Sequence, residues 1–340
     1  MKSRKSTIHD VAEQLGITAS TVSRALSGND RISQKTKEKV LKVAAELNYQ
    51  PNRLASNLRT GRGNSIGVVV PRINRNFFSN VISGIESVTN PAGYNIMICQ
   101  TNEEHENEVR SLQTLINNQV DGIIMSVSAN TMNTSHIQKA LDESIHIVQF
   151  DRVSNELDIS KVVNDNLMGG YEVTRHLIEQ GYKRIYHFAG PMHLGVYHDR
   201  YLGYMKAMNE AGMKVSSDMV FADILTRMQG LETTQTLYKS GMLPDAIFAA
   251  SDFSALGVLT ALKEFGISFP KEIGVAGFAN EPFTELTDPG LTTVEQFSER
   301  MGQEAAYLLI AEIEGLKEDI EHQTINIKPE LIIRQSTYEN

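Results

Sequence analysis

From residue 63 onward, apolar β-branched runs alternate with amphipathic helical stretches, and this alternation constrains the fold more than any other feature. Residues 66–70, IGVVV, are continuously apolar apart from one glycine, as expected of a strand buried in a parallel sheet. The spacing predicts a helix over 77–90, a strand over 94–100, a helix over 104–118 and a strand over 122–126. A helix over 136–144, a strand over 146–150 and a short strand near Val162 continue the series. Helices over 167–180, 200–211, 230–239 and 254–265 then alternate with strands over 184–189, 220–222, 246–250 and 274–277. Regular alternation of this kind predicts doubly wound parallel α/β sheets. The segment is long for one such sheet, so two lobes are expected.

The amino-terminal residues have another texture. Residues 7–26, TIHDVAEQLGITASTVSRAL, predict two short helices joined by a tight turn. Thr7 and Asp10 form a T-x-x-D capping box that starts the first helix at Ile8. Ile8, Val11, Ala12 and Leu15 share one helical face, and Gly16 supplies the left-handed backbone that ends it. Thr18 caps the second helix, with Val22, Ala25 and Leu26 directed inward. Ala19, Ser20, Thr21, Ser23 and Arg24 remain outward. Such a face suits a major groove, with hydroxyls for phosphates or base edges and the arginine for guanine. An ordinary helical hairpin with a solvated face fits these residues equally. Ser33 then caps a third helix whose Val40, Val43, Ala44 and Leu47 point inward. Pro51 stops that helix, and a brief helical segment over 52–59 follows, carrying Leu54, Ala55 and Leu58.

Charge follows the same division. Residues 1–62 hold 12 Lys and Arg against 5 Asp and Glu, a balance of +7, whereas the rest holds 20 against 36, or −16. An acidic protein with one basic end is the expected asymmetry when only that end meets nucleic acid. The single cysteine, Cys99, lies in the apolar run NIMIC and is expected to pack in a core. One cysteine allows no intrachain disulfide, and neither a signal-peptide pattern nor a membrane-length apolar run appears, so a cytoplasmic location is expected.

Open sheets of this class bind ligands at the carboxyl ends of their strands. Arg75, Phe77 and Phe78 follow the first strand, Asp151 and Arg152 follow the strand over 146–150, Arg200 follows a Gly-Pro loop, and Asp252 follows the strand over 246–250. Paired charged groups beside aromatic faces match the vicinal hydroxyls and apolar face of a sugar. Taken singly, Asp252 is equally a helix cap and Arg200 equally a solvated helix residue.

Residues 7–62 resemble the headpiece of the lac-repressor family in the capping box, the T-V-S-R of the second helix, the L-N-Y-x-P-N-R junction and the A-x-x-L of the hinge. Residues 63–340 resemble that family's effector domain, itself similar to periplasmic sugar-binding proteins, through IGVVVPxIxxxFF, QVDGII, VxFDR, VVNDN, HLIEQGYKRI, SDFSALGVLTAL, PGLTTVEQ and IIRQST. The resemblance implies an all-α helix-turn-helix headpiece (residues 1–50), a hinge helix and linker (51–62), and a two-lobed effector-binding and dimerisation domain (63–340). Its N-lobe would cover about 63–162 and 295–327, and its C-lobe about 163–294 and 328–340, with crossings near Val162, Val294 and Lys328. It implies DNA contacts from Thr7, Thr18, Ala19, Ser20, Thr21, Ser23, Arg24, Asn29, Tyr49, Asn52, Arg53, Ala55, Leu58 and Arg59. Leu58 would wedge into the minor groove, while Arg53, Arg59 and Arg62 neutralise phosphates. Effector contacts are implied for Phe77, Phe78, Asp151, Arg152, Arg200, Asp252 and Gln296. Two departures from the pattern are Arg75 and Glu281, the latter in an NEPF stretch; a cationic Arg75 fits an acidic sugar or simply faces solvent, and the second reading is preferred.

The expected function is that of a ligand-controlled transcription factor, most simply a repressor, binding a double-stranded palindromic operator as a homodimer and controlled by a sugar or sugar derivative. No cofactor, metal or membrane partner is expected. A sugar-binding module with another use for its headpiece, and a sugar-modifying enzyme, are the alternatives. Gly63 to Gly67 spells G-x-S-x-G, but a nucleophile elbow needs a strand before it, and here a strand follows. No glycine-rich phosphate loop follows any strand, and His187, His193 and His198 lack metal-ligand spacing.

Overall fold

The computed structural model describes residues 6–26, 29–49, 63–131, 133–315 and 322–338. The chain divides into two compact units, residues 1–63 and 64–340.

In the first unit, α1 (Ile8–Leu15), α2 (Ala19–Leu26) and α3 (Gln34–Glu46) form a helix-turn-helix with a third supporting helix. Asp10 closes the start of α1 by accepting from both the Thr7 backbone N–H (2.6 Å) and the Thr7 hydroxyl (2.7 Å). Gly16 ends α1 at φ 64°, a left-handed conformation costly for other residues. The Thr18 hydroxyl accepts from the Thr21 N–H at 3.2 Å, and that of Ser33 from the Thr36 N–H at 3.3 Å, starting α2 and α3. Val11, Ala12, Val22, Ala25, Val40 and Val43 make the small core, with Leu26, Leu47 and Tyr49 packed on it.

Among the described residues, the second unit contains three sheets. Strands β1 (Ser65–Val70), β2 (Asn95–Gln100), β3 (Gly122–Met125), β4 (His146–Phe150) and β5 (Ser160–Asn164) belong to the first. Between them run α4 (Asn76–Thr89), α5 (His105–Asn117) and α6 (Ser135–Asp142). The chain continues through α7 (Asn166–Glu179), β6 (Ile185–Phe188), α8 (Gly195–Glu210), β7 (Val220–Phe221), α9 (Arg227–Lys239), β8 (Ala246–Ala249), α10 (Asp252–Glu264) and β9 (Gly274–Ala276). It closes with β10 (Thr293–Glu295), α11 (Ser298–Ile313), β11 (Thr324–Ile327) and β12 (Glu330–Ile332). The first sheet is wholly parallel in the order β11-β5-β4-β3-β1-β2, the second wholly parallel in the order β7-β6-β8-β9, and β10 pairs antiparallel with β12.

Helices α4 and α11 cover one face of the six-stranded sheet, where Val81, Ile85, Met301 and Leu309 meet Ile66, Val68 and Val148. Helices α5 and α6 cover the other with Leu112, Leu115, Ile137 and Ala140. The second sheet has its own core around Phe188, Tyr204, Phe248, Val258 and Phe278. Cys99, expected in a core, packs against the core under α5 and α6 and is half-buried because β2 is the sheet edge.

The chain leaves the first sheet after β5, returns between β10 and α11, and leaves again between β11 and β12. Asn164 binds these three passages together. Its Nδ2 donates to Gln296 O (2.9 Å) and Ile327 O (3.4 Å), and its Oδ1 accepts from Gln296 Nε2 (3.3 Å).

Two helices start at least three residues earlier than the sequence spacing predicts. The helix expected from residue 200 starts at Gly195, so Arg200 sits in its second turn. The helix expected from residue 230 starts at Arg227, behind a capping box of Thr226 and Gln229.

Candidate functional site

In the headpiece, Ser20 and Arg24 stand exposed on α2, with Thr18 exposed just before it and Asn29 exposed beyond it. Ser20 and Thr21 each share a hydrogen bond of 2.9 Å with the Thr18 hydroxyl. Ala19, expected outward, is half-buried against the core, because it lies on the side of α2 that carries Val22. Thr21 and Ser23 are also half-buried rather than fully outward. Thr7 spends its hydroxyl on Asp10, and Tyr49 packs on the core, where burial pushes its phenol up. Asn52, Arg53, Ala55, Leu58, Arg59 and Arg62 lie outside the described residues.

In the second unit, a cavity of about 490 Å³ opens between the two parallel sheets at the carboxyl ends of their strands. The six-stranded sheet contributes Arg72, Arg75, Phe77 and Phe78 after β1, Glu103 after β2, Ala129 after β3, and Asp151 and Arg152 after β4. The four-stranded sheet contributes Leu194, Tyr197 and Arg200 after β6, Asp223 and Gln229 after β7, Phe253 after β8, and Phe278 and Glu281 after β9. Gln296 enters from the passage that joins them.

Charge in this cavity is balanced and mostly fixed. Glu103 accepts from Arg152 Nη1 at 2.7 Å and from the Ala129 N–H at 2.9 Å, with Arg72 Nε at 3.9 Å. Arg200, 5% exposed, donates through Nε to Asn166 (2.9 Å) and through Nη1 to Ala250 O (2.8 Å). Its guanidinium lies 3.7 Å over the Phe278 ring and 5.2 Å from that of Tyr197. Burial pushes its pKa down from the usual arginine range. Arg75, the departure from the family pattern, lies 4.3 Å over the Phe253 ring and does not simply face solvent. Burial pushes the nearby Glu281 carboxyl up, opposed by the charge of Arg75. Phe77 and Phe78 meet edge to face at 5.2 Å.

Asp151 differs from the other acids. It is 9% exposed, holds a left-handed φ of 57°, and lines the cavity, yet its carboxylate accepts no hydrogen bond from the described residues. Burial pushes its carboxyl up, while Arg152 and Arg200 pull it back. Its carboxylate is therefore left to accept from water or from a ligand in the cavity.

Asp252, expected as a ligand group, has both carboxylate oxygens engaged by protein donors. It is 0% exposed, is absent from the cavity lining, and its two oxygens accept from the Thr293 hydroxyl (2.6 Å) and the Glu281 N–H (2.8 Å). It ties the start of α10 to β10 and to the loop after β9. Phe77, Phe78, Asp151, Arg152, Arg200 and Gln296 do line the cavity. Sequence reasoning missed Arg72, Glu103, Tyr197, Asp223, Gln229, Phe253 and Phe278. Applying the strand-end rule to β2, β7 and β9 as well would have found Glu103, Asp223 and Phe278.

The three histidines considered in the sequence lie apart. His187 is buried between Tyr204 and Phe248, His193 hydrogen-bonds Ala129 O at 2.9 Å, and His198 lies 4.0 Å from Asp199. The serine of the G-x-S-x-G run opens β1, which excludes a nucleophile elbow there.

Residues 7–52 match the model of bacterial regulatory proteins of the lacI family, and residues 174–337 that of a periplasmic binding protein-like domain. The chain is similar to the HTH-type transcriptional repressor PurR of Actinobacillus pleuropneumoniae serotype 3 (strain JL03), with 30% identity over 330 residues, covering 97% of this chain and 98% of the relative. A lac repressor dimer bound to operator and the anti-inducer ONPF has the same fold, with a TM-score of 0.88 at 24% identity, covering 99% of this chain and 100% of that one. The transcriptional regulator CelR in complex with cellobiose is also similar, with a TM-score of 0.73 at 29% identity, covering 97% and 99%.

Proposed function

This chain belongs to the lacI family of bacterial regulatory proteins and is a transcriptional repressor with a DNA-binding headpiece and an effector-binding domain, and from that premise we propose the nature of its effector and of its DNA complex. The effector is a sugar or sugar derivative held in the cavity between the two parallel sheets. Asp151 carries this reading, because its nearly buried carboxylate has no protein donor and suits a pair of sugar hydroxyls. Phe77, Phe253 and Tyr197 supply flat faces for the ring, and Arg152, Arg200 and Gln296 supply donors. The related CelR, solved with cellobiose, supports the same class.

The DNA partner is a near-palindromic double-stranded operator bound by a homodimer, since one headpiece offers too little contact for specific affinity. Thr18, Ser20, Arg24 and Asn29 are the exposed groups that would meet it. Arg24 would pair with a guanine, a contact worth about 1–3 kcal/mol of discrimination.

A thermal-shift screen of sugars, sugar acids, sugar phosphates and purine bases tests the effector class. A ligand at 100 times its Kd adds about 2.7 kcal/mol to the folded state. A sugar or sugar derivative is expected to raise the melting temperature. A shift confined to purine bases would overturn the sugar assignment and leave family membership untouched.

A further inference from the structure

Behind the cavity wall lies a cluster that the regulatory function does not use. His105 and Glu108 stand three residues apart on α5, a spacing that puts both on one helical face. His136, from the first turn of α6, completes the group. One ligand atom from each of the three side chains falls within a 4.8 Å span. The His136 Nε2 lies 2.7 Å from Glu108 Oε1, and the two imidazoles meet edge to face with centroids 4.9 Å apart.

The polar accounting at this cluster is incomplete. Glu108 is fully buried, and its Oε2 accepts from the Ser128 N–H at 2.6 Å, with the Thr131 hydroxyl 3.0 Å from Oε1. Burial alone would push its carboxyl up, but the hydrogen bonds from His136 and Ser128 outweigh burial and hold it below the usual range. The Nδ1 atoms of His105 and His136 are both buried without a hydrogen-bond partner. A purely structural anchor for the 128–131 loop needs Glu108 and one donor. It does not need a second imidazole with a buried, unused ring nitrogen, which costs free energy as it stands.

We propose that His105, Glu108 and His136 form a binding site for a single transition-metal cation of the Zn2+ type. Two imidazoles and one carboxylate are the ligand set that such borderline cations take, at about 2.0–2.2 Å, with a fourth position left for water. At those distances tetrahedral ligand atoms stand about 3.3 Å apart, so a 4.8 Å span must contract and the 2.7 Å pair must open slightly. Side-chain torsions supply movements of that size. The Ser128 N–H and Thr131 hydroxyl then orient the carboxylate from outside, as outer partners of metal ligands do. The loop held by Glu108 also carries Ala129 into the cavity wall, so the ion would sit behind the effector site and not in it.

The test is Zn2+ titration of the chelator-treated full chain by calorimetry, in wild type and in His105→Gln. The His105 side chain makes no hydrogen bond among the described residues, so this variant is expected to keep its metal-free melting temperature. The expected result is one saturable Zn2+ per chain, with affinity falling at least about tenfold in the variant, the lower end for losing even an outer partner of a metal site. Wild-type protein loaded with Co2+ alone should show the visible d–d bands of a four-coordinate ion, a readout that does not depend on the variant. Equal Zn2+ affinity in both proteins, no saturable binding in wild type, or a Co2+ spectrum like that of the hydrated ion would each overturn the assignment.

Discussion

Asp151 and Asp252 each follow a strand closely, one on each sheet, and their carboxylates have opposite surroundings. That of Asp151 lines the cavity without a donor, whereas Asp252 gives both oxygens to Thr293 and Glu281. Replacing Asp151 by Ala should therefore weaken the effector by about tenfold or more, since hydrogen bonds to a charged group contribute about 1.5–3 kcal/mol. The melting temperature of the free protein should change little, because removal of a buried and poorly paired charge offsets the cost of alanine at a left-handed φ. Calorimetric titration of the variant with the active sugar checks both effects; undiminished affinity would remove Asp151 from the site. Asp252 bears on stability instead. Burial, reinforced by Glu281, pushes its carboxyl from 3.8 up to about 7 against the bonds from Thr293 and Glu281. The folded state thus favours the protonated acid. That stabilisation is complete below about pH 4 and is lost as the pH rises towards 7, at most about 4 kcal/mol. Asparagine mimics the protonated acid in shape and hydrogen bonding. Melting temperatures between pH 4 and 8 should show Asp252→Asn gaining on wild type as the pH rises, with the gap levelling above about 7. A gap that does not change with pH would show that the carboxyl does not titrate there.

Among the helices, pairs of glycines set the closest approaches. A Cβ on Gly170 of α7 would stand 2.3 Å from Arg200 O, and one on Gly203 of α8 would stand 2.2 Å from Leu167 O. Gly84 with Gly302, and Gly230 with Gly257, do the same for α4 with α11 and for α9 with α10. The first pair places the turn of α8 that carries Arg200 into the cavity. Gly170→Ala should cost about 3 kcal/mol through overpacking, the upper end because the contact is with backbone, and this outweighs the roughly 1 kcal/mol that alanine adds in helix propensity. It should also weaken the effector by displacing Arg200. Urea unfolding measures the first effect, and a stabilised variant would contradict the contact. These glycines also explain why some elements escaped the sequence pattern. The buried side of α8 consists of Val196, Arg200, Gly203, Tyr204, Ala207 and Met208, so an arginine and a glycine interrupt the apolar stripe that would mark its start. By contrast β1 and β3 are buried along nearly their whole length and read as continuous apolar runs apart from their opening residues and Gly67. Site residues followed the same logic. The strand-end rule reached Phe77, Phe78, Asp151, Arg152 and Arg200, but position along the chain could not separate Asp252, because only its partners reveal where its oxygens point. Glu108 and His136 are 28 positions apart, and nothing in their local sequence announces that they meet.

For the molecule as a whole, the basic end and the acidic remainder divide the work, because only the first has a net positive charge to set against phosphates. Effector control requires that occupation of the cavity change the equilibrium of DNA binding, and the coupling must be reciprocal. Asn164 joins all three passages between the parallel sheets, so a ligand that draws the cavity walls together would act through this hinge. The most direct measurement is the anisotropy of a labelled near-palindromic duplex, selected by the protein from random sequence. It should be titrated with wild type and with Asp151→Ala, each with and without the sugar that gives the largest thermal shift. Saturating sugar should change the wild-type Kd for DNA by at least about fivefold, the lower end of ordinary allosteric coupling, and Asp151→Ala should need at least about tenfold more sugar for the same change. A wild-type Kd that is the same with and without saturating sugar would contradict control of the headpiece from this cavity.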